Sequence, residues 1–437
     1  MSKTTQQDGV CPVGEYDLDK VSLSEPELLA QPNAFFRQLR QEKPVHFDPA
    51  LNMWLVSRHE DLRTVFSDPI TFSVERGYQE QYAKGYIDEF KEILERDGGG
   101  FFPDPIMTDP PYHTRIRKLM ENAFSAHRVA TLEPRIAEIA GDVTEAFLAE
   151  CETTGVVDAV KHFSVPITIK VICEQLGINQ YDAEKIQQWS LAVTAQIGRM
   201  QDREQMRDNA KLICELQNYL IARVKEREAA PREDMISDLV HARVDDEAEQ
   251  TLSFKEVVPC VRALLIAGNE TTATAMSNLV LILATQPAVA RELAERYQDD
   301  RFMNRFVEEL LRIEPPVRGL SRMTTREVEL GGVLLPEGAH MLNLYASGND
   351  DESVFECPRT FNMERTNINR HIAFGGGAHR CIGVSLARME IKVAARELIK
   401  RIASVELTVA PEEIRYLPTV ATHSIESLPV RLTRRES

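Results

Sequence analysis

The 437-residue sequence contains no uninterrupted apolar run of a length that spans a membrane, no CxxC pair, no internal repeat and no low-complexity linker. Each absence removes a class of protein. The most apolar stretch, Val257 to Leu283, is broken by Arg262, Asn269 and Glu270, whereas a membrane helix needs about 20 predominantly apolar residues. The opening MSKTTQQDGV lacks the apolar core of a secretory signal, so the chain is expected to be cytoplasmic. The seven cysteines (Cys11, Cys151, Cys173, Cys214, Cys260, Cys357 and Cys381) are odd in number and scattered, which argues against a disulfide framework and against zinc or iron-sulfur chemistry. Six of them read as small buried hydrophobes. A basic excess is lacking too. Lys and Arg total 51 against 68 Asp and Glu, a formal charge of -17, and such a surface repels nucleic acid and anionic membranes. Neither is an expected partner.

What remains is an ordinary folded composition, 43% hydrophobic and 27% charged, with nothing that divides the chain. We expect one domain over 1–437, with residues 1–20 a flexible N-terminal segment. Pro44 to Ser57 alternates apolar and polar residues around a DPALN turn, a hairpin pattern carried by Val45, Phe47, Trp54 and Val56. From about Asp109 to Pro315 apolar residues recur at helical spacing, for example over Ile136 to Phe147 and Ala210 to Val224. The fold class is therefore mainly α with a small β part. One helix stands apart: Ser253 and Glu256 form an S-x-x-E start, and Gln286-Pro287 ends it. At 1.5 Å per residue it would run roughly 50 Å, through the core. Glycine and proline punctuate the last third until helical period resumes at Ile382.

The string FGGGAHRCIG, Phe374 to Gly383, crowds glycines around one cysteine that precedes a helix. Glycine allows positive φ and close approach to a large planar ligand. A helix N-terminus favours the thiolate, and thiolate ligation of haem iron needs that form. A glycine-rich surface loop with a buried cysteine would share part of this pattern. Phe374, Gly375, Gly377, His379, Cys381 and Gly383 fill every specified position of F-G-x-G-x-H-x-C-x-G, and on these residues the chain resembles the cytochrome P-450 family. The resemblance implies a haem b held between a long central helix and this loop, with Cys381 as the proximal iron ligand and Phe374 packed against it.

Three further motifs carry the resemblance over about Asp109 to Ala387. AGNETT, Ala267 to Thr272, interrupts the long helix with Gly268, which costs about 1 kcal/mol relative to Ala, and with a carboxylate beside two hydroxyls. Thr271 can bond Ala267 and Thr272 can bond Gly268, bending the helix into a groove; a core hydroxyl satisfied by its own helix is the plainer alternative. By resemblance Ala267 and Gly268 lie over the distal haem face, and Glu270 and Thr271 deliver protons to iron-bound oxygen. Many members have Asp where Glu270 stands. ELLR places Glu309 and Arg312 on one helical face, and with PRTFNMER, Pro358 to Arg365, it resembles the family's buried Glu309–Arg312–Arg365 network. DPPYHTRIR places His113 and Arg117 at i and i+4. His113, Arg117, Arg322 and His379 match the family's contacts to the haem propionates, which need cationic or hydrogen-bonding partners when buried. Gly383 and Ala387 complete the cofactor-binding set.

Gly98 to Gly100 beside Phe101 and Phe102 reads either as a hinged apolar lid or as core packing. The resemblance places Trp189 to Met200 over the substrate, and Val317 to Leu320 and the loop around Val420 beside it. Arg318 within that segment suits an anionic substrate, solvent or the haem. Arg370, His371, Arg380 and Arg388 cluster around the thiolate despite the net charge and could dock an acidic electron donor or only neutralise propionates. The resemblance implies a monooxygenase that uses dioxygen and a small to medium, largely apolar organic substrate. A ferredoxin and its reductase would supply electrons, since no such domain is fused here. Coupling or epoxidation, or a haem sensor without turnover, are the alternatives.

Overall fold

The computed structural model describes residues 16–82, 86–121, 124, 126–198, 201–243 and 250–436. Cys11 and Met200 lie outside them. The part of the expected flexible N-terminus that is described, 16–20, is docked: the Tyr16 ring meets Phe35 edge-on at 5.8 Å, its N–H donates to Gln38 Oε1 at 2.9 Å, and Leu18 is buried. Both Tyr16 partners come from a later helix, Asn33–Glu42, out of reach of local spacing.

Helices dominate, as expected. The central helix is Phe254–Thr285, started by the Ser253 N–H donating to Glu256 Oε2 at 2.7 Å. Its apolar residues are buried in two separate groups. Val257 to Ile266 pack with Ile169, Ile172, Leu216 and Val224. Ala275 to Leu283 pack with Phe147, Phe163, Leu310 and Leu398. Each fully buried Leu or Ile contributes about 1.5–3 kcal/mol, so both ends are anchored by packing rather than by helix propensity. Residues 267–274 belong to neither group. The core is interrupted there, at the AGNETT motif.

The β part is small. A five-stranded sheet runs in the spatial order Val45–Asp48, Met53–Val56, His340–Leu344, Gly319–Thr324, Phe72–Ser73. The expected hairpin forms with Val45 opposite Val56 and Phe47 opposite Trp54. Its inward residues include Met53 and Leu55, while Phe47 is 39% exposed and leans on Trp54 at 5.3 Å. Strand Met53–Val56 pairs parallel to His340–Leu344, which ties the hairpin to the irregular last third. A second sheet joins Val157–Asp158, Pro429–Arg434 and Ile402–Leu407. Among the described residues no single helix is long and apolar enough to cross a membrane.

Candidate active site

The cysteine loop lies just before the helix Val384–Arg401, with Gly383 as its N-cap residue. Gly375 and Gly377 adopt φ of 64° and 63°, a region that disfavours side chains. At Gly377 an added methyl would collide with the backbone oxygen of Phe66. The Cys381 N–H donates to Phe374 O at 3.0 Å, closing the loop, and Ala387 N–H bonds Gly383 O at 2.9 Å in the first helical turn. Burial pushes the Cys381 thiol up, while the Gly383 N–H, Arg117, Arg380 and Arg388 pull it down. The residue is exposed to solvent. Cys357 is exposed as well, so the buried-hydrophobe reading fails for it; its φ of 44° belongs to a turn whose carbonyl accepts the Thr360 N–H at 3.0 Å.

Two imidazoles meet here, the buried His113 and the half-buried His379 of the loop itself. The His113 and His379 rings are 4.0 Å apart, tilted by 37°, and His113 Nδ1 and His379 Nε2 are buried without a hydrogen-bond partner. Burial, with the positive charge of Arg117 and Arg322, holds them down at about 4 and about 3. Arg322 is buried and donates to Phe72 O at 2.9 Å. Arg117 pairs with Glu121 at 3.1 Å and donates to Arg380 O at 2.5 Å. Two ring nitrogens without partners beside two guanidiniums can take a hydrogen-bonding anion, which suits the carboxylates of a haem. The residues present therefore fit the cofactor.

On the central helix Ala267 is exposed although Leu264, Leu265 and Ile266 just before it are buried. Thr271 Oγ1 donates to Ala267 O at 2.8 Å, as its spacing predicts. The second such bond is made by Thr274 to Glu270 O at 2.9 Å, rather than by Thr272. The helix remains continuous through both. Gly268 has a packing role: a methyl there would sit 2.9 Å from Ile172 Cδ1, so the glycine admits the neighbouring helix Val165–Gln175. Glu270 accepts a hydrogen bond from Thr194 Oγ1, its Oε1 is buried without a partner, and burial lifts its carboxyl to about 7 against the pull of Thr194. Asn269 accepts from Thr168 Oγ1 at 2.8 Å and donates to Ser190 Oγ at 3.1 Å. Sequence reasoning missed Thr194 and Asn269; only the polarity of Asn269 on an apolar helix signalled one of them.

The charge network forms as the resemblance implies. Glu309 and Arg312 are fully buried, with Arg312 Nε on Oε2 and Nη2 on Oε1, both at 2.8 Å, and Arg365 Nε on Oε1 at 3.3 Å. Arg365 further donates to Glu356 O at 2.7 Å and Thr360 O at 3.2 Å. The segment before the cysteine loop is thus pinned to the helix Asp300–Ile313.

The substrate side is corrected in several places. Phe101 packs edge-on against Phe90 and Phe102 against Phe254, each at 6.4 Å, and Gly98 O and Gly100 O are held by Gln217 Nε2, both at 2.6 Å. These rings are committed to core packing rather than to a free lid. Trp189 is buried in the helix Ala183–Gly198 against Tyr219. Val317 and Leu320 are half-buried at the edge of the larger sheet. Val420 packs among Leu29, Phe35 and Leu344, in the N-terminal core. Arg318 is buried and donates to Leu29 O at 2.6 Å, so solvent exposure is excluded; burial lowers its pKa to about 10. Arg370 and Arg380 are exposed, but His371 and Arg388 are spent on Glu308, which halves the free basic patch.

A glycine-shaped cysteine loop, an anion-seeking histidine pair and a hydroxyl beside an acid on the central helix, where the apolar core is interrupted, define the haem-thiolate oxygenase class. The chain belongs to that class through one family: the family model "Cytochrome P450" matches residues 96–414, and the chain is a member of it. It is 33% identical over 395 residues to the cyclomarin C epoxidase CymV of Salinispora arenicola, covering 89% of this chain and 93% of the relative. To the 6-deoxyerythronolide B hydroxylase of Saccharopolyspora erythraea it is 31% identical over 402 residues, covering 91% and 95%. The solved structure of cytochrome P450 CYP109Q5 from Chondromyces apiculatus matches with a TM-score of 0.81 and 31% identity, covering 96% of this chain and all of that one. The protein is therefore an oxidoreductase of the oxygen-incorporating kind that binds haem b through a cysteine thiolate.

Proposed function

We propose that Cys381 is that thiolate and that the chain, acting as one domain, hydroxylates a small to medium, largely apolar organic substrate, with a separate ferredoxin and reductase as electron source in the cytoplasm. The haem supplies, when bound, an iron that activates dioxygen. His113, His379, Arg322 and Arg117 hold its propionates: the first two offer unpaired ring nitrogens, the others fixed positive charge. Thr271 holds a proton at Oγ1, on the exposed notch of the central helix. Glu270, with a carboxyl near 7, can bind and release a proton at neutral pH.

The interruption of the core at 267–274, with Thr271 bonded back to Ala267, is the observation that carries this reading. A sensor without turnover has no use for a buried carboxyl that titrates near neutrality. Epoxidation is the second reading, favoured by the likeness to an enzyme named as an epoxidase. The reduced carbonyl spectrum tests the ligand: a thiolate-type band is expected in the wild type and absent in Cys381→Ser. A ligand screen by spin-state shift then identifies substrates, and NADH-dependent product with ferredoxin and reductase identifies the reaction. No product from any spin-shifting ligand would overturn the enzyme reading.

A further inference from the structure

The helix Asp300–Ile313 presents two adjacent carboxylates to different partners. Glu309 serves the buried network described above. Glu308, 8% exposed, serves another. Its Oε2 accepts from His371 Nε2 at 2.8 Å and from Arg388 Nη2 at 2.7 Å, and its Oε1 lies 2.6 Å from Arg388 Nε. His371 Nδ1 accepts the Ala373 N–H at 3.3 Å, which leaves its proton on Nε2, toward Glu308. Burial alone would raise the Glu308 carboxyl, but His371 and Arg388 together hold it low.

Both partners close on one ring. The Arg388 guanidinium stands 4.9 Å from the Phe374 centroid, and the His371 ring 6.0 Å away on a 46° tilt. Phe374 O in turn accepts the Cys381 N–H at 3.0 Å. A single carboxylate thus ties together the start of the cysteine loop, through His371, and the helix that follows it, through Arg388.

We propose that Glu308 is a positioning residue for the Cys381 thiolate: through Arg388 and His371 it clamps the Phe374 ring, and its charge balance with Arg388 sets how readily the haem is reduced. The proposal rests on Cys381 being the iron ligand. Reduction adds negative charge at the iron, so a nearby uncompensated cation favours it and a nearby uncompensated anion opposes it. With Glu308 and Arg388 paired, the two nearly cancel. Glu308→Gln leaves the guanidinium unopposed and keeps an acceptor for His371. Arg388→Met leaves the carboxylate unopposed while keeping a similar volume.

The test is the reduction potential of the holoprotein by spectroelectrochemistry, with haem content and the reduced carbonyl band recorded alongside. Cys381→Ser is measured first; survival of the thiolate-type band in it would sink the ligand assignment, a result separate from anything at Glu308. With the ligand established, Glu308→Gln is expected to shift the reduction equilibrium several-fold toward the ferrous state and Arg388→Met several-fold the other way. Arg388→Lys, which retains the charge but not the planar stack, should stay near the wild-type potential while binding carbon monoxide with a broadened band. A merely structural role moves both variants in the same direction. Shifts of the same sign, or both smaller than twofold, would overturn the proposal, as would loss of haem from Arg388→Lys.

Discussion

Replacing Glu309 by Gln probes whether the loop before Cys381 is held by charge or only by packing. In the wild type the carboxylate receives Arg312 Nε and Nη2 at 2.8 Å, the Asn362 N–H at 3.0 Å and Arg365 Nε at 3.3 Å, with no solvent exposure. Glutamine preserves size, but it removes the charge opposite two buried guanidiniums and can turn an NH2 group toward Arg312 Nε, donor against donor. Breaking one side of a buried pair costs about 3–5 kcal/mol, because the partner charges stay buried. At about 1.4 kcal/mol per tenfold, that is more than a 10²-fold shift toward the open state. Arg365 also holds Glu356 O and Thr360 O, so opening should begin there and reach the cysteine loop before the rest of the fold. Urea titration followed in parallel by haem absorbance and by far-UV dichroism would show it: haem loss at lower urea than helix loss, in the variant only. Glu329→Gln on an exposed strand edge is the control, expected within about 0.5 kcal/mol of wild type. A Glu309→Gln protein that loses less than about 1 kcal/mol, with both signals still coincident, would refute the charge argument.

Thr271→Val should keep haem loading but lower product formed per NADH, on the scale of the roughly 10²-fold that a positioned proton donor supplies; Thr271→Ser should restore most of it, and equal coupling in all three would remove Thr271 from the proton path. Glu270 gives a pH signature. Its folded-state carboxyl is raised from 4.5 to about 7 by burial, so between those values the folded chain keeps a proton the unfolded chain has lost. Stability is then full below the ordinary value and falls by about 3 kcal/mol as pH rises through 7. Unfolding measured at pH 5 and pH 8 should show this slope in the wild type and not in Glu270→Gln. Gly268→Ala gains about 1 kcal/mol of helix propensity against the contact with Ile172 Cδ1, so it should lie within about 1 kcal/mol of wild type and become more stable when Ile172→Val removes that methyl; a double variant less stable than Gly268→Ala alone would refute the contact argument. Gly377→Ala meets backbone rather than a side chain, so it should prevent haem incorporation, and no side-chain replacement at Phe66 should relieve it.

The parts of this site legible in the sequence are those whose chemistry is local. Thr271 bonds the carbonyl four residues back wherever the helix runs, so spacing alone predicts the contact with Ala267. The glycines of the cysteine loop are legible because positive φ leaves few other residues possible. What the sequence hides is set by partners far along the chain. Gly268 has a close neighbour that its own helix does not reveal, Ile172 on another helix. Phe101 and Phe102 look like a lid beside flexible glycines until Gln217 and Phe254 fasten the segment. Charge shows the same division. Arg388 and His371 read as free surface cations from their neighbours in sequence, yet Glu308, more than sixty positions earlier, neutralises one and orients the other. An apparent basic patch around a thiolate is therefore two different things in this chain. Arg370 and Arg380 remain exposed, whereas Arg388, partly exposed, stands over the Phe374 ring and pairs with Glu308. Salt should slow electron delivery through the first pair and change the reduction potential governed by Arg388 less, because its partner Glu308 is mostly buried and the two are in direct contact.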